Sequence, residues 1–409
     1  MPASQPPLKT LRTGLRIATE SLAHELARPG NPMPAWDALQ WQLASAAAAA
    51  HGISPLLQRL SLWPDSDWTL FLASQRAHVD HRHRRVAALL ERIDEGTQAA
   101  DVAVVALKGA ALHSLGLYMP GDRPMADIDL LVDDADAAKV GELLREIGYV
   151  ESFAQWKHRV FKPTAGHASQ GLGEHRDTPV NIELHTRIQE RLPVSRVDIT
   201  ERILPWDRQP GLNPYPSNGA LMSHLLLHAA GNLCSRSLRL IHLNDIALLA
   251  RRMTARDWQV LWGEGADGVP WWALPPLQLI CRYYRDPFPK VVLERLRADC
   301  PPLLRLFSHR QSLTAASCSN LWLPALPGIE WSRSPQEAMA YLRNRFNPSE
   351  ENRQERADMV RTQLWLQDQS WVTLPHGRRL LTRLTRPVPR MDTLYVVRAA
   401  LDGYARTSA

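Results

Sequence analysis

The amino-acid sequence predicts an α+β protein with a small mixed sheet, of element order β-α-β-α-β-β, flanked by helical regions. Apolar residues recur at helical spacing before about residue 100 and after about residue 190, whereas short Val-rich runs lie between. The chain has 409 residues, of which 45% are hydrophobic and 22% charged, so it can bury the cores of two or three domains. We therefore expect an N-terminal helical region at 1–100, an α/β core at 101–190 and a mostly helical C-terminal domain at 191–409.

The N-terminal region is predicted to contain three helices, at 11–27, 34–50 and 70–93. The first ends at Arg28-Pro29-Gly30, because proline cannot continue a helix and glycine favours its termination. The second has Pro34 near its start and is rich in alanine, the strongest helix former.

The core begins with the apolar run 102–107, which is typical of a buried strand. Gly148 suits the end of a helix, because glycine readily adopts the left-handed conformation found there. The predicted elements are a strand at 102–107, a helix at 110–118, a strand at 126–132, a helix at 137–147, and strands at 156–163 and 179–188.

The C-terminal half is predicted to be helical at 221–233, 239–253 and 290–306, each with an amphipathic pattern. A basic amphipathic tail follows at 376–390. Such a segment can contact a membrane surface or nucleic acid, but an ordinary surface helix with its arginines in water is the simpler interpretation.

The composition also bears on location. No stretch reaches the roughly 18–20 consecutive apolar residues of a transmembrane helix. Residues 1–20 lack the apolar segment of a secretory signal peptide. The 4 cysteines are far apart and form no C-x-x-C pair, so they predict neither a zinc site nor a disulfide framework. We expect a soluble, cytoplasmic protein without a transmembrane segment.

The net charge is +6, from 48 Lys and Arg against 42 Asp and Glu. A basic protein that binds a polynucleotide usually gathers its cations on one face, whereas here the arginines are spread along the whole chain. A small anionic substrate such as a nucleotide fits the charge equally well.

Asp127-Ile128-Asp129 is the strongest local motif. Side chains two positions apart on a strand project from the same face, so the two carboxylates lie close together and repel each other. A divalent cation with oxygen ligands, such as Mg²⁺, would stabilise the pair. Asp-x-Asp also occurs by chance on exposed strands. The motif alone therefore leaves open both a metal site and a chance pair of acids.

Three neighbouring features favour the metal interpretation. Lys108-Gly109 lies between a strand and a helix, where glycine lets a phosphate approach backbone N–H groups. Arg123 can form bidentate bonds to phosphate oxygens. Glu183 lies on a strand that we expect beside the Asp-Ile-Asp strand, where it would supply a third carboxylate. Three acids, two metal ions and a triphosphate would make a phosphoryl-transfer site.

These residues resemble the polymerase-β-type nucleotidyltransferase superfamily, and more closely the bacterial family of uncharacterised nucleotidyltransferases. The resemblance spans roughly residues 75–250. It rests on Leu107-Lys108-Gly109, Arg123, Asp127-Ile128-Asp129-Leu130-Leu131-Val132, Glu183-Leu184-His185, Leu227-His228 and Asn244-Asp245-Ile246-Ala247.

The resemblance implies transfer of a nucleoside monophosphate from a nucleoside triphosphate to a hydroxyl acceptor, with release of pyrophosphate. Asp127 and Asp129 would hold two Mg²⁺ ions, or Mn²⁺ in their place. Glu183 would complete the second metal site and help to deprotonate the acceptor. Lys108 and Arg123 would contact the departing pyrophosphate.

His185 lies two residues after Glu183, on the same strand face, and would orient that acid, contact phosphate or pack beside it. Gly109-Ala110 departs from the Gly-Ser or Gly-Gly that the superfamily usually has, so no hydroxyl helps to bind phosphate there. The third acid is Glu where Asp is common, and its longer arm would shift the metal. No required carboxylate is missing.

The acceptor is not identified by the sequence: a small molecule, a peptide or protein, and tRNA are all open. Two other functions are also open. A non-catalytic member of the fold would bind a nucleotide or a partner protein. An enzyme or toxin directed at RNA ends would place a contiguous stripe of arginines beside Asp127.

Overall fold

The computed structural model describes residues 6–60, 63–154, 157–165, 171–262, 269–362, 366 and 374–407. It confirms the predicted fold class, since a mixed six-stranded sheet lies between helical regions. Among these residues, no helix is long and apolar enough to cross a membrane.

The described part of the N-terminal region, residues 6–60 and 63–100, contains four helices. Asp37 begins the second, because its side chain accepts a hydrogen bond from the Gln40 N–H at 2.8 Å. Asp65 begins the fourth in the same way, by accepting from the Trp68 N–H at 3.0 Å. The prediction at 70–93 thus lies inside one longer helix. The four helices are α1 (Leu8–Ala27), α2 (Ala38–Ala50), α3 (Ser54–Leu60) and α4 (Ser66–Ala99).

The six-stranded sheet contains the predicted alternation of strands and helices, with two additional strands, and a separate two-stranded hairpin was also not predicted. Tyr149–Ala154 continues from the helix that ends near Gly148, and Gly211–Asn213 adds a strand from beyond residue 190. The elements are β1 (Ala103–Ala106), α5 (Lys108–Ser114), β2 (Asp127–Val132), α6 (Ala137–Glu146), β3 (Tyr149–Ala154), β4 (Arg159–Pro163), β5 (Asn181–His185), β6 (Gln189–Arg191), β7 (Arg196–Asp198), α7 (Thr200–Ile203) and β8 (Gly211–Asn213).

The sheet has the strand order β3-β4-β5-β2-β1-β8. β2 is parallel to β5 and antiparallel to β1, and β8 is parallel to β1. The pairing of β2 with β5 places Asp129 opposite Glu183 and Asp127 opposite Asn181. β6 and β7 form a separate antiparallel hairpin.

Alternation along β2 divides its side chains between two cores. Ile128, Leu130 and Val132 are buried in the cluster that packs beneath α4 and α6. Leu131 points to the opposite face, into the cluster shared with α5 and α8 (Asn218–Ser235). Because Asp127 and Asp129 share the face of Leu131, the sheet directs both acids towards the C-terminal helices.

The C-terminal region is helical. The predicted single helix at 290–306 is wrong, because Pro301 and Pro302 interrupt it: proline lacks the N–H that a continuing helix needs. After α8, the helices are α9 (Leu240–Ala250), α10 (Ala255–Trp262), α11 (Leu274–Tyr283), α12 (Lys290–Asp299), α13 (Pro302–Arg310), α14 (Leu313–Ala316), α15 (Pro335–Phe346), α16 (Glu350–Thr362), α17 (His376–Thr385) and α18 (Met391–Thr407).

Candidate active site

The three predicted acids lie together on β2 and β5. Residues paired across parallel strands project from the same face, so Asp129 and Glu183 are neighbours. Asp127 lies on the same face, two positions before Asp129 and nearer the start of the strand. All three line one cavity of about 290 Å³ between the sheet and the C-terminal helices.

Asp129 is buried and accepts two hydrogen bonds on Oδ1. The Lys108 Nζ donates at 2.7 Å and the His185 Nε2 donates at 3.1 Å. Burial alone would raise the pKa of Asp129, but the ammonium of Lys108 and the bond from His185 lower it well below its usual range. Burial likewise opposes the charge of Lys108, yet the carboxylates beside it raise its pKa. Asp129 is therefore ionised, with Lys108 as its counter-ion.

Asp127 has a different environment. It is half-buried, and none of the described residues donates a hydrogen bond to its carboxylate. Burial, followed by repulsion from Asp129 and Glu183, raises the pKa of Asp127 to about 7, against the opposing effect of Lys108. The acid cluster thus has an excess of negative charge at the edge that faces the cavity. This donor set of carboxylate oxygens fits a divalent cation such as Mg²⁺.

The turn between β1 and α5 holds Lys108 in place. The backbone φ of Lys108 is 45°, a left-handed conformation that residues other than glycine rarely adopt. Its backbone N–H donates to the Tyr215 Oη at 3.3 Å, and Tyr215 in turn lies 2.7 Å from the His224 Nδ1. His224 is thereby engaged in supporting this turn.

Gly109 follows directly and is in close contact with Arg123. A Cβ atom at Gly109 would lie 2.4 Å from the Arg123 Nη1 and 3.0 Å from Met125. The glycine is required here because the guanidinium packs against its Cα. In the sequence the same glycine suggested room for phosphate, but the structure places the side chain of Arg123 in that space.

Arg123 forms a buried bidentate ion pair with Asp245 on α9. Its Nε and Nη2 donate to the two carboxylate oxygens at 2.9 and 2.8 Å. The Tyr118 hydroxyl donates to the same carboxylate at 2.7 Å. Burial opposes the charge of Arg123, but the carboxylate of Asp245 raises its pKa. Arg123 lines the 290 Å³ cavity, with two of its five N–H donors bonded to Asp245 and Nη1 donating to the Pro124 carbonyl at 3.3 Å.

Two residues that the sequence did not single out complete the site. His158 on the segment before β4 has its Nε2 3.6 Å from the Glu183 Oε1, and the His185 Nε2 lies 3.7 Å from the Glu183 Oε2. The ligand atoms of these three residues all lie within 4.8 Å of one another, which is a spacing that can hold a metal ion. No sequence signal connected His158 to Glu183, since only strand pairing brings β4 beside β5.

Arg239 is the second such residue. It precedes α9, and its Nε donates to the Ala50 carbonyl at 2.9 Å. Its guanidinium also lies against Gly52, where a Cβ would be 2.6 Å from Nη2. The side chain lines the 290 Å³ cavity and opposes the raised pKa of Asp127, so it contributes positive charge opposite the acids.

A second cavity, of about 460 Å³, adjoins the first. Lys108, Glu183 and His228 line both, so Glu183 is the acid that lies where the two spaces meet. His228 lies 3.1 Å from the Asn232 amide and packs against His242. Glu183 is therefore reached from two sides, which suits a reaction between two substrates.

The fold and this site define a nucleotidyltransferase-like α+β protein: a mixed sheet presents three carboxylates and a lysine to a divided cavity beneath a helical domain. The sequence model of a family described as uncharacterised nucleotidyltransferase matches residues 37–287. This is more than half of the chain, so the chain belongs to the uncharacterised nucleotidyltransferase family, as its motifs predict. Comparisons with curated proteins and with solved structures found no match.

Proposed function

We propose that this protein transfers a nucleoside monophosphate from a nucleoside triphosphate to a hydroxyl acceptor, and that the transfer depends on divalent metal ions. The observation that carries the proposal is the meeting of Asp127, Asp129 and Glu183 on adjacent parallel strands, beside Lys108. The family name supports the general reaction, and the acid cluster supports the metal dependence.

The nucleotide occupies the cavity of about 290 Å³. Lys108 and Arg239 line this space and neutralise the phosphate groups. Arg123 supports the wall through its pair with Asp245, and its Nη1, which also donates to the Pro124 carbonyl at 3.3 Å, lies beside Gly109. Positive charge held in a largely buried site stabilises the departing pyrophosphate more strongly than it would in water.

Asp127, Asp129 and Glu183 would hold the metal ions, which when bound would neutralise the phosphates and lower the pKa of the acceptor hydroxyl. Asp127 suits this role because it lacks a hydrogen-bond partner among the described residues and carries a raised pKa. His158 flanks Glu183 on the side of the 460 Å³ cavity.

The acceptor occupies the 460 Å³ cavity. Its hydroxyl oxygen bonds to the α-phosphorus while the bond from that phosphorus to the bridging oxygen of the pyrophosphate breaks. Glu183 accepts the hydroxyl proton, and His185 fixes the orientation of Asp129 and Glu183. Most of the rate gain comes from holding the two substrates in line and from charge neutralisation.

Incorporation of label from each α-labelled nucleoside triphosphate, with purified protein, cell extract and Mg²⁺ or Mn²⁺, tests this proposal. The Asp129→Asn variant should lose about 10²–10³-fold in rate, because it removes one charge from the centre of the acid cluster. Asp134→Asn is the matched control, since Asp134 is exposed near the end of β2 and outside both cavities.

A labelled product made by wild type and by Asp134→Asn, but not by Asp129→Asn, supports nucleotidyl transfer. Equal incorporation by wild type and Asp129→Asn contradicts the assignment of the acids. If no product forms, yet nucleoside triphosphate and metal still raise the melting temperature, the protein is a nucleotide-binding member without catalysis.

A further inference from the structure

A third cavity, of about 1280 Å³, is lined by α15, α16, α17 and the β6–β7 hairpin. Seven of the described residues that line it are arginines, whereas Glu351 is the single acid among them. These arginines come from segments far apart in the sequence, including Arg191 on β6 and Arg379 on α17. Their convergence gives this cavity a strongly positive lining.

Four of the arginines face one another: Arg345, Arg356, Arg379 and Arg383. Burial lowers the pKa of Arg356 and Arg383 to about 10, and repulsion from the neighbouring guanidinium groups adds to this effect. Several guanidinium groups on the walls of one space can bind successive phosphates of one chain-like anion, because each presents paired donors to phosphate oxygens. The cavity is therefore suited to a ligand with several negative charges.

The arginine-lined cavity continues into the candidate active site. It shares five lining residues with the 460 Å³ cavity, among them Arg191, Tyr341 and Arg345. The 460 Å³ cavity in turn reaches Lys108 and Glu183. A chain-like molecule can therefore extend from the arginines to the acids.

We propose that the arginine-lined cavity binds the phosphodiester backbone of single-stranded RNA and directs its 3′ hydroxyl to Glu183 as the acceptor. This inference rests on the proposed nucleotidyl transfer and names its acceptor class. The 3′ oxygen bonds to the α-phosphorus of the nucleoside triphosphate, pyrophosphate leaves, the proton passes to Glu183, and the strand becomes one nucleotide longer.

Size and lining favour RNA over the other acceptors. The cavity exceeds the roughly 300–1,000 Å³ of small-molecule sites. Phe346 lines it with 60% of its surface exposed, although it is a large apolar side chain. Arginines that follow a phosphate backbone, together with an aromatic ring on which a base stacks, are the usual elements of single-strand recognition. A peptide of glutamates alone would use the arginines but has no ring to stack on Phe346.

Binding is tested by fluorescence anisotropy with a short, labelled single-stranded RNA of mixed sequence, without nucleotide or metal, over a range of salt concentrations. The cavity variant is Arg356→Gln/Arg379→Gln. The control is Arg343→Gln/Arg378→Gln, which removes the same charge from exposed positions on α15 and α17 outside the cavity. Thermal unfolding of each variant shows whether it is folded, and Arg356→Gln alone replaces the double variant if that does not fold.

The cavity variant should bind RNA about tenfold more weakly. Its slope of log affinity against log salt should be smaller by about 1.4, because each lost phosphate contact of a single strand removes about 0.7. The control variant should bind as wild type does. Equal binding by wild type and the cavity variant overturns the proposal, and so does equally tight, cavity-dependent binding of poly-glutamate.

The labelled products separate this inference from the proposed function. A nuclease-sensitive product that the cavity variant no longer makes supports both. A nuclease-resistant product leaves nucleotidyl transfer intact and overturns RNA as the acceptor. If no product forms at all, the proposed function fails, while cavity-dependent RNA binding still supports the RNA site.

Discussion

At the scale of single residues, two acids of one motif have opposite environments. Asp129 is bonded by Lys108 and His185, whereas the half-buried Asp127 has no hydrogen-bond donor among the described residues. The difference arises because Asp129 lies deeper in the sheet, opposite Glu183, and Asp127 lies at the start of β2. The two positions are therefore not interchangeable, although the sequence presents them symmetrically.

Gly109→Ala tests the close contact at the start of α5. Alanine favours a helix by up to about 1 kcal/mol over glycine. Here, however, its Cβ would lie 2.4 Å from a guanidinium that Asp245 holds in place, so the side chain cannot move away freely. We expect a net loss of about 1–3 kcal/mol in the free energy of unfolding, measured by urea denaturation.

Gly377→Ala is the matched control for this prediction. Gly377 also lies in the first turn of a helix, and a Cβ there would meet nothing within 4 Å. It should be neutral or slightly stabilising. A loss at Gly377 as large as that at Gly109 would contradict the packing explanation.

At the scale of elements, α2 and α9 meet through one buried histidine. The His51 Nδ1 accepts from the Leu240 N–H at 2.9 Å, and its Nε2 lies 2.9 Å from the Ser319 Oγ. Nδ1 must therefore carry no proton, and Nε2 donates to the serine. Burial, with a smaller contribution from Arg239, lowers the pKa of His51 to about 3.

This histidine predicts a dependence of stability on pH. Between pH 6.5 and about 3 the unfolded chain binds a proton at His51 and the folded chain does not. The stabilisation is thus complete above about pH 6.5 and decreases as the pH falls, by about 1.4 kcal/mol per pH unit once the unfolded histidine is protonated. Denaturation at about pH 7.5 and about pH 5.5 measures it.

His51→Gln should lose less stability than wild type over the same pH interval, because glutamine does not titrate. His309→Gln, at an exposed position on α13, should behave as wild type. An unchanged pH dependence in His51→Gln would show that His51 does not determine it.

Some strands were predicted from the sequence and others were missed, because strands differ in how strongly burial marks their sequence. β2 was predicted because Leu130-Leu131-Val132 is buried on both faces and reads as a continuous apolar run. β3 was missed because this edge strand is half exposed and carries Glu151, so its pattern is weak. β8 has three residues and pairs with β1. No local sequence pattern predicts this pairing.

At the scale of the whole molecule, the pair of Arg123 and Asp245 joins the core to the C-terminal helices. Asp245→Asn should lower the free energy of unfolding by about 3–5 kcal/mol, because Arg123 would stay buried without its counter-ion. Arg123→Met/Asp245→Leu should lose less than the single variant, since no charge remains buried. Urea denaturation of both variants measures the two losses.

The pair of Arg333 and Glu337, which is more exposed than the pair of Arg123 and Asp245, serves as the comparison. Arg333 is about half exposed, so Arg333→Ala should cost less than about 1 kcal/mol. If Asp245→Asn costs no more than Arg333→Ala, the buried pair does not stabilise the junction between the two regions.

The sequence by itself determined the fold class, the order of the central elements and the family, because these depend on local apolar patterns and on short motifs. It also indicated Asp127, Asp129 and Glu183 as a group, from alternation along strands and from the family resemblance.

Only the tertiary structure decided which cations accompany these acids. The sequence predicted Arg123 for phosphate; the fold also pairs it with Asp245 and brings Arg239 to the same cavity, with the neutral imidazole of His158 beside Glu183. The fold likewise gathers arginines that are scattered along the chain into one cavity. Contacts between residues far apart in the chain depend on how strands pair and helices pack. Local sequence patterns do not specify these long-range arrangements.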